Sequence, residues 1–304
     1  MRLRRTIKHN GQLKARPMHP DMNSEPSTPS TCSTLFPPAS LPPDTHTHTR
    51  LCRHATGEPA DYARAALEAG LDTIACTDHI PFPDDPQPTI RMALDDFPRY
   101  LEMVHAAAAE VPGCRVLLGL EADHRPDLVA LRHLDRLLAQ DDFDIVLGSV
   151  HSGPFWDLNP DDPAATPAFV EDMWRTYFRR LTDLADSRLY DAVAHIDLPK
   201  RRGLRPPPSA IRDMVLPALD AVAEAGMAVE INTSGLVHGA KEPYCSPDIL
   251  RWMAERGIPV LFGSDAHRPR DIARAFPEAV AAARAAGIAY RAEFCGRERR
   301  LLPL

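Results

Sequence analysis

The chain has 304 residues, 44% of them hydrophobic, which suits one large barrel or two small domains. A formal net charge of −7 and a pI near 6.0 argue against a nucleic-acid partner, which would show a basic stripe, and no run approaches a membrane-spanning apolar length. The six cysteines (32, 52, 76, 114, 245 and 295) are scattered without a Cys-x-x-Cys, the usage of reduced thiols in a cytoplasmic protein.

Residues 1–16 are basic and 17–43 are rich in Pro, Ser and Thr, with no apolar stretch for a secretory signal. Residues 1–40 are therefore expected to be a disordered extension. A start further downstream, at Met18 or Met22, or an organellar transit peptide would account for them too. Residues 41–304 are expected to form one domain.

From residue 41 short apolar strands alternate with helix-period segments. The expected strands are 44–48, 71–76, 115–121, 144–150, 191–196, 227–232 and 258–263. The expected helices are 59–69, 95–111, 126–140, 165–186, 208–225, 246–256 and 271–286. Gly70, Gly226, Gly257 and Gly287 each follow such a helix, where a left-handed residue closes the last turn. Seven units of this kind predict an α/β fold, a (β/α)7 TIM-like barrel, with 288–294 a further strand of uncertain place. The loop 152–166 is expected to cover one mouth of the barrel.

Two pairs carry the chemistry. A strand sends residues i and i+2 to one face, so His46 and His48 point together, as do Asp265 and His267 about 220 residues later. A barrel of parallel strands brings such distant strand ends to one place. The other polar residues at carboxyl ends of expected strands are His79, Glu121, His151 and His195, with His54 in the loop after the first strand. Seven of the thirteen histidines thus fall at one end of the barrel. Nine ligands (His46, His48, His54, His79, Glu121, His151, His195, Asp265, His267) are too many for one ion, so two or three divalent ions are expected, zinc, manganese or iron, with Glu121 bridging. Such a cluster clamps a phosphoryl group and turns a bound water into a hydroxide nucleophile. Asp265 and His195 are candidate proton donors to the leaving group. Asp44 shares the phase of His46 and reads as a supporting carboxylate. Arg268, Lys200 and Asn232 are candidate substrate contacts; for the basic run Lys200-Arg201-Arg202, which could meet a phosphate, a solvated loop, and for Asn232 a cap on the next turn, are the competing readings. Phe155 and Trp156 either stack on substrate or anchor their loop. His105, His124, His133 and His238 are expected at the surface.

These segments, with Cys52-Arg53-His54, Thr77-Asp78-His79-Ile80-Pro81, Ala194-His195-Ile196-Asp197, Glu230-Ile231-Asn232-Thr233-Ser234-Gly235 and Gly263-Ser264-Asp265-Ala266-His267-Arg268-Pro269, resemble the PHP (polymerase and histidinol phosphatase) superfamily over roughly residues 41–295. They resemble its monofunctional histidinol-phosphatase branch in particular, which tolerates His at position 54. The resemblance implies a distorted seven-stranded barrel and a trinuclear centre. In it His46, His48, Glu121 and Asp265 would hold the first ion, and Glu121 and His151 would reach the second. His54, His79, His195 and His267 would hold the third or bridge to it. It implies hydrolysis of L-histidinol phosphate, a step of histidine biosynthesis. The alternatives are another small phosphate ester or nucleotide as substrate, and a metal-binding module without activity, which should have lost ligands that this chain keeps.

Overall fold

The computed structural model describes residues 41–85 and 88–304, so the expectation for residues 1–40 lies outside the described residues. Strands and helices alternate as β1 (Asp44–Thr47), α1 (Pro59–Glu68), β2 (Thr73–Cys76), α2 (Phe97–Glu110), β3 (Arg115–Asp123), α3 (Leu128–Leu138) and β4 (Ile145–Ser149). The series continues with α4 (Pro167–Ser187), β5 (Ala192–Val193), α5 (Pro208–Glu224), β6 (Ala228–Asn232), α6 (Pro247–Glu255), β7 (Val260–Gly263) and α7 (Phe276–Ala285). Strands β1 to β7 pair in chain order, all in parallel, and β1 also pairs with β7 at Asp44↔Phe262. The seven strands therefore close into a barrel with helices outside, the expected architecture.

Local chemistry sets the helix boundaries. Proline occupies the first helical position of α1, α4, α5 and α6, where its missing N–H costs nothing. Asp127 caps α3 by accepting from Val129 N and Ala130 N (3.1 and 2.9 Å). The four expected glycines follow α1, α5, α6 and α7 with φ between +64° and +87°.

The barrel interior is narrow and filled largely by small residues: Ala75, Ala192, Ala194 and Ala228 with Leu117, Ile145, Leu147 and Leu261. The larger apolar side chains pack between barrel and helices, as Val146, Val229 and Phe262 do with Trp174, Leu219 and Phe276. The expected segment 288–294 is β8 (Tyr290–Cys295), which pairs in parallel with β7 at Val260↔Arg291 and forms a hairpin with β9 (Glu298–Pro303). Strand β9 was not expected: Glu-Arg-Arg-Leu-Leu-Pro does not alternate, and a final proline fits only an edge. Ala292 and Phe294 of this hairpin join the interior cluster next to Ile145, Ala192 and Ala228, the first residues of their strands, and so plug the N-terminal end. Cys52, Cys76, Cys114 and Cys245 are free and buried, whereas Cys295 is disulfide-bonded, a correction to the reading of all six cysteines as reduced thiols. No helix among the described residues is long and apolar enough to cross a membrane.

Candidate metal centre

All nine expected ligands meet at the C-terminal end of the barrel, around Glu121. Its Oε2 lies 2.7 Å from His79 Nδ1, 3.4 Å from His46 Nε2 and 3.6 Å from His48 Nε2. Its Oε1 lies 2.8 Å from His195 Nε2 and 3.1 Å from His151 Nε2. Asp265 Oδ1 forms a second focus, 3.2 Å from His48 Nε2, 3.6 Å from His267 Nδ1 and 3.8 Å from His46 Nε2. His54 completes the rim, its Nε2 2.8 Å from His267 Nε2. His151 Nε2 and His195 Nε2 face one another at 3.3 Å. Lone pairs aimed at each other across such gaps repel unless a proton or a cation lies between them.

Three buried atoms at the centre, His46 Nε2, His48 Nε2 and Glu121 Oε2, lack a hydrogen-bond partner; the short approach of His79 to Glu121 Oε2 is not aligned for one. A buried polar group is normally satisfied, and its desolvation is otherwise uncompensated. Among the nine expected ligands, three sets of donor atoms lie within 4.8 Å of one another: His46–His48–Glu121, His48–His79–His267 and His79–Glu121–His151. Imidazole nitrogens with a bridging carboxylate are the donors that zinc, manganese and iron take. The residues present fit a cluster of divalent ions.

Supporting groups fix the ligands. Glu230, fully buried on β6, receives His46 Nδ1 on Oε1 (2.7 Å), and the backbone N–H of His195 (2.8 Å) and Asn232 Nδ2 (3.1 Å) on Oε2. Asp123 Oδ1 lies 2.9 Å from His151 Nδ1. Asp44 accepts from Ser264 N and Ala273 N (2.9 Å each) and so ties the loop bearing Asp265 to β1, the supporting role expected of it. His195 and Asp265 hold φ of +27° and +52°; for a histidine this is a strained backbone. Tyr177 Oη donates to His195 O (3.2 Å) and, with Glu230, pins that peptide.

The electrostatics divide the histidines. Burial, with His267 and His79 beside it, holds the His48 pKa well below the ordinary range, and burial with His267 lowers His54 to about 4. For His151 burial opposes protonation, but Asp123 and Glu121 outweigh it and raise its pKa to about 10. Burial disfavours the charged forms of Glu121 and Asp265, yet the surrounding imidazoles pull both carboxyls well below the usual carboxylate range.

The centre opens into a cavity of ≈ 690 Å³ whose wall includes Arg91, Arg125, Arg201, Arg268 and Arg274. Four of these arginines are paired: Arg91 with Asp123 (3.3 Å), Arg125 with Asp84 (2.9 Å), Arg274 with Asp271 (2.8 Å) and Arg268 with Asp271 (3.7 Å). Arg201 has no carboxylate partner among the described residues and lies 5.0 Å over the Trp156 ring. Trp156 and Ser152 line the cavity, so the loop 152–166 does border the mouth, while Phe155 is buried against Tyr177.

Two expected substrate contacts sit elsewhere. Lys200 is neither solvated nor in the cavity: it is fully buried and donates to Glu242 (2.8 Å), Pro243 O (2.7 Å) and Ser246 Oγ (3.0 Å), with Asp197 at 2.7 Å. Asn232 caps the following turn through Ser234 N (3.0 Å) and faces Glu230. His124 and His133 are buried rather than exposed, bonded to Tyr190 Oη (3.1 Å) and Pro81 O (2.7 Å). His105 is exposed as expected, and half-buried His238 lines the cavity. Sequence reasoning missed Glu230 and Asp123 as supports, and of the basic run Lys200-Arg201-Arg202 it is Arg201 that lines the cavity. The period-two rule that paired His46 with His48 also pairs Glu121 with Asp123 and Glu230 with Asn232. A charged residue inside an apolar strand was the available signal.

A closed seven-stranded α/β barrel carrying a histidine–carboxylate cluster at its C-terminal end defines a TIM-like class of metal-binding protein. Within it the chain belongs to the PHP domain family: the PHP domain model matches residues 44–234, and the PHP-associated model matches 248–284. It is 41% identical over 243 residues to a protein of Deinococcus radiodurans named "Probable histidinol-phosphatase", covering 78% of this chain and 90% of that one. It is 27% identical over 270 residues to the histidinol-phosphatase of Bacillus subtilis, covering 77% of this chain and 96% of that one. Among solved structures, the histidinol phosphate phosphatase of Lactococcus lactis, complexed with zinc, L-histidinol and phosphate, shares the fold with a TM-score of 0.69 at 20% identity, covering 86% of this chain and 99% of that one.

Proposed function

We propose that this protein hydrolyses L-histidinol phosphate to L-histidinol and phosphate, in the cytoplasm, as a step of histidine biosynthesis. The observation that carries the chemistry is the convergence of nine histidine and carboxylate side chains, four of their buried atoms without a hydrogen-bond partner, at the floor of an open cavity. The substrate rests on the 41% likeness to the Deinococcus relative. The zinc, L-histidinol and phosphate held by the Lactococcus protein are the kinds of ligand this reading calls for.

Two or three zinc, manganese or iron ions, when bound, would supply Lewis-acid charge for an in-line phosphoryl transfer. His46, His48, His54, His79, His151, His195, His267, Glu121 and Asp265 would hold them, with Glu121 presenting one oxygen to each side of the cluster. Glu230 fixes His46 and the His195 peptide in one geometry, so little reorganisation accompanies reaction. Arg201, without a carboxylate partner among the described residues and braced on Trp156, would take a phosphate oxygen. Arg268 is less suited to that task because it already faces Asp271. Of the two candidate proton donors, Asp265 is held ionised by His46, His48 and His267 and has no proton to give near neutral pH. His195 remains the candidate of that pair.

The test is phosphate release from L-histidinol phosphate and from p-nitrophenyl phosphate by protein reconstituted with Mn²⁺, Zn²⁺ or Fe²⁺. A strong preference for histidinol phosphate is expected. Activity on the generic ester alone would keep a metallophosphatase and discard the biosynthetic substrate.

A further inference from the structure

Histidine ligands are commonly oriented through their second ring nitrogen by a carboxylate or a backbone carbonyl. His46 and His151 follow that pattern through Glu230 and Asp123. His48 does not. Its Nδ1 lies 3.5 Å from the sulfur of Cys52, four residues on and fully buried. The chain builds this contact locally. Strand β1 ends at Thr47, and a short 3₁₀ turn, Arg50–Cys52, folds Cys52 back beneath the His48 ring. Thr49 opens that turn, accepting from Leu51 N (3.2 Å), and anchors it by donating N–H and Oγ1–H to the two oxygens of Asp78 (2.6 Å each). His48, Cys52 and Asp78 have donor atoms within 4.8 Å of one another, and all three residues are buried.

The bond directions follow from acceptor strength. The Asp78 carboxylate, within 4.8 Å of the sulfur, is a better acceptor than an imidazole nitrogen and draws the Cys52 S–H to its own side. The sulfur lone pairs are then left for N–H donors. One is the backbone N–H of His79 at 3.3 Å. The other is His48 Nδ1.

We infer that Cys52 is a positioning residue of the centre: its sulfur accepts the His48 Nδ1–H while its own S–H donates to Asp78, which leaves the His48 Nε2 lone pair facing Glu121, Asp265 and the ions. The inference rests on the metal-centre reading above. It assigns the buried thiol a role as a relay between Asp78 and a ligand, not as a nucleophile or a ligand itself.

Cys52→Ala and Cys52→Ser test it together, because both remove the sulfur and leave similar space, and only Ser keeps a donor and an acceptor. Two readouts are taken on purified protein: zinc affinity by competition with a chelator of known strength, and the His48 tautomer from ring ¹⁵N shifts in metal-free protein. Cys52→Ala is expected to weaken zinc binding by about 10- to 100-fold and to lose the Nδ1–H tautomer, with Cys52→Ser recovering most of both. An unchanged tautomer in Cys52→Ala, or equal losses in the two variants, would overturn the inference and reduce Cys52 to packing. Wild-type protein that bound no zinc would instead overturn the metal centre, and the tautomer would still decide the role of Cys52.

Discussion

At the N-terminal end of the barrel, Asp191 receives Val146 N (2.8 Å) and the guanidinium of Arg297 (2.9 Å), while Asp144 receives Leu118 N and Gly296 N (3.0 Å each). At the C-terminal end, Glu121 and Asp265 face six imidazoles, and His46 Nε2, His48 Nε2 and Glu121 Oε2 are left without hydrogen bonds. Both ends hold buried carboxylates. The lower set is matched by protein donors and sealed by the hairpin of β8 and β9. The upper set is matched by groups that are themselves lone-pair donors, in a cavity open to solvent. Buried charge alone therefore does not mark a functional site in this fold; buried charge that protein groups leave unanswered does.

The sharpest break in that comparison is Glu121→Ala. It removes the group whose two oxygens join both halves of the cluster, and phosphate release should fall on the order of a thousandfold, the several kcal/mol expected of Lewis-acid catalysis. Metal content measured on the same sample should fall with it. Full activity in this variant would mean that the cluster is not the reaction site. Glu230→Gln comes next. One amide oxygen cannot replace a carboxylate that receives both the His46 ring and the His195 peptide. Zinc affinity should drop about 10- to 100-fold, with folding retained, in a chelator competition.

Proton release sharpens the same contrast. With its pKa raised to about 10, His151 carries a proton in metal-free protein at pH 7 and must lose it to become a ligand. His54, lowered to about 4, is already neutral there. Zinc binding at pH 7 should therefore release protons, seen as a dependence of the titration heat on the ionisation enthalpy of the buffer, and affinity should rise toward pH 10. The stability of the metal-free protein runs the other way. A raised folded-state pKa stabilises fully below the unfolded value, about 6.5, and that contribution is lost as pH climbs through about 10. Urea midpoints of metal-free protein that rose over this interval would contradict the assignment.

How much of this was legible in the sequence differs between the two ends. Period-two pairs and strand-end positions placed eight of the nine upper residues, because a parallel barrel sends every strand end to one face and chemistry-bearing side chains stand out there; His54, in the loop after the first strand, rested on the family resemblance. The supports were harder. Glu230 reads as one charged residue in the run Met-Ala-Val-Glu-Ile-Asn, and nothing local says that it faces His46, 184 residues away. Lys200 and Arg201 are neighbours of one type, yet one is buried among Asp197, Glu242 and Ser246 and the other lines the cavity. The 3₁₀ turn Leu198–Arg202 decides which is which, and its partners in residues 242–246 come from a distant loop. The lower end left less trace, since Asp144 and Asp191 open two expected strands as single charges and nothing local shows that Gly296 and Arg297 of the hairpin meet them.

The gentlest test is made at that lower end, with Arg297→Ala. The change removes donors to Asp191 and to Leu189 O (2.6 Å). Val146 N still donates to Asp191, so the carboxylate keeps a partner while losing the Arg297 guanidinium. Arg297 is partly exposed, which moderates the cost through solvent screening; a loss of about 1–3 kcal/mol is expected, visible as a lower unfolding midpoint. Zinc affinity and the rate per folded molecule, measured well below that midpoint, should not change, because Asp191 and Leu189, which the guanidinium bonds, lie at the closed end. A rate that fell in step with stability under those conditions would show that the hairpin end and the metal end are coupled through the barrel, and the division of labour between them would have to be given up.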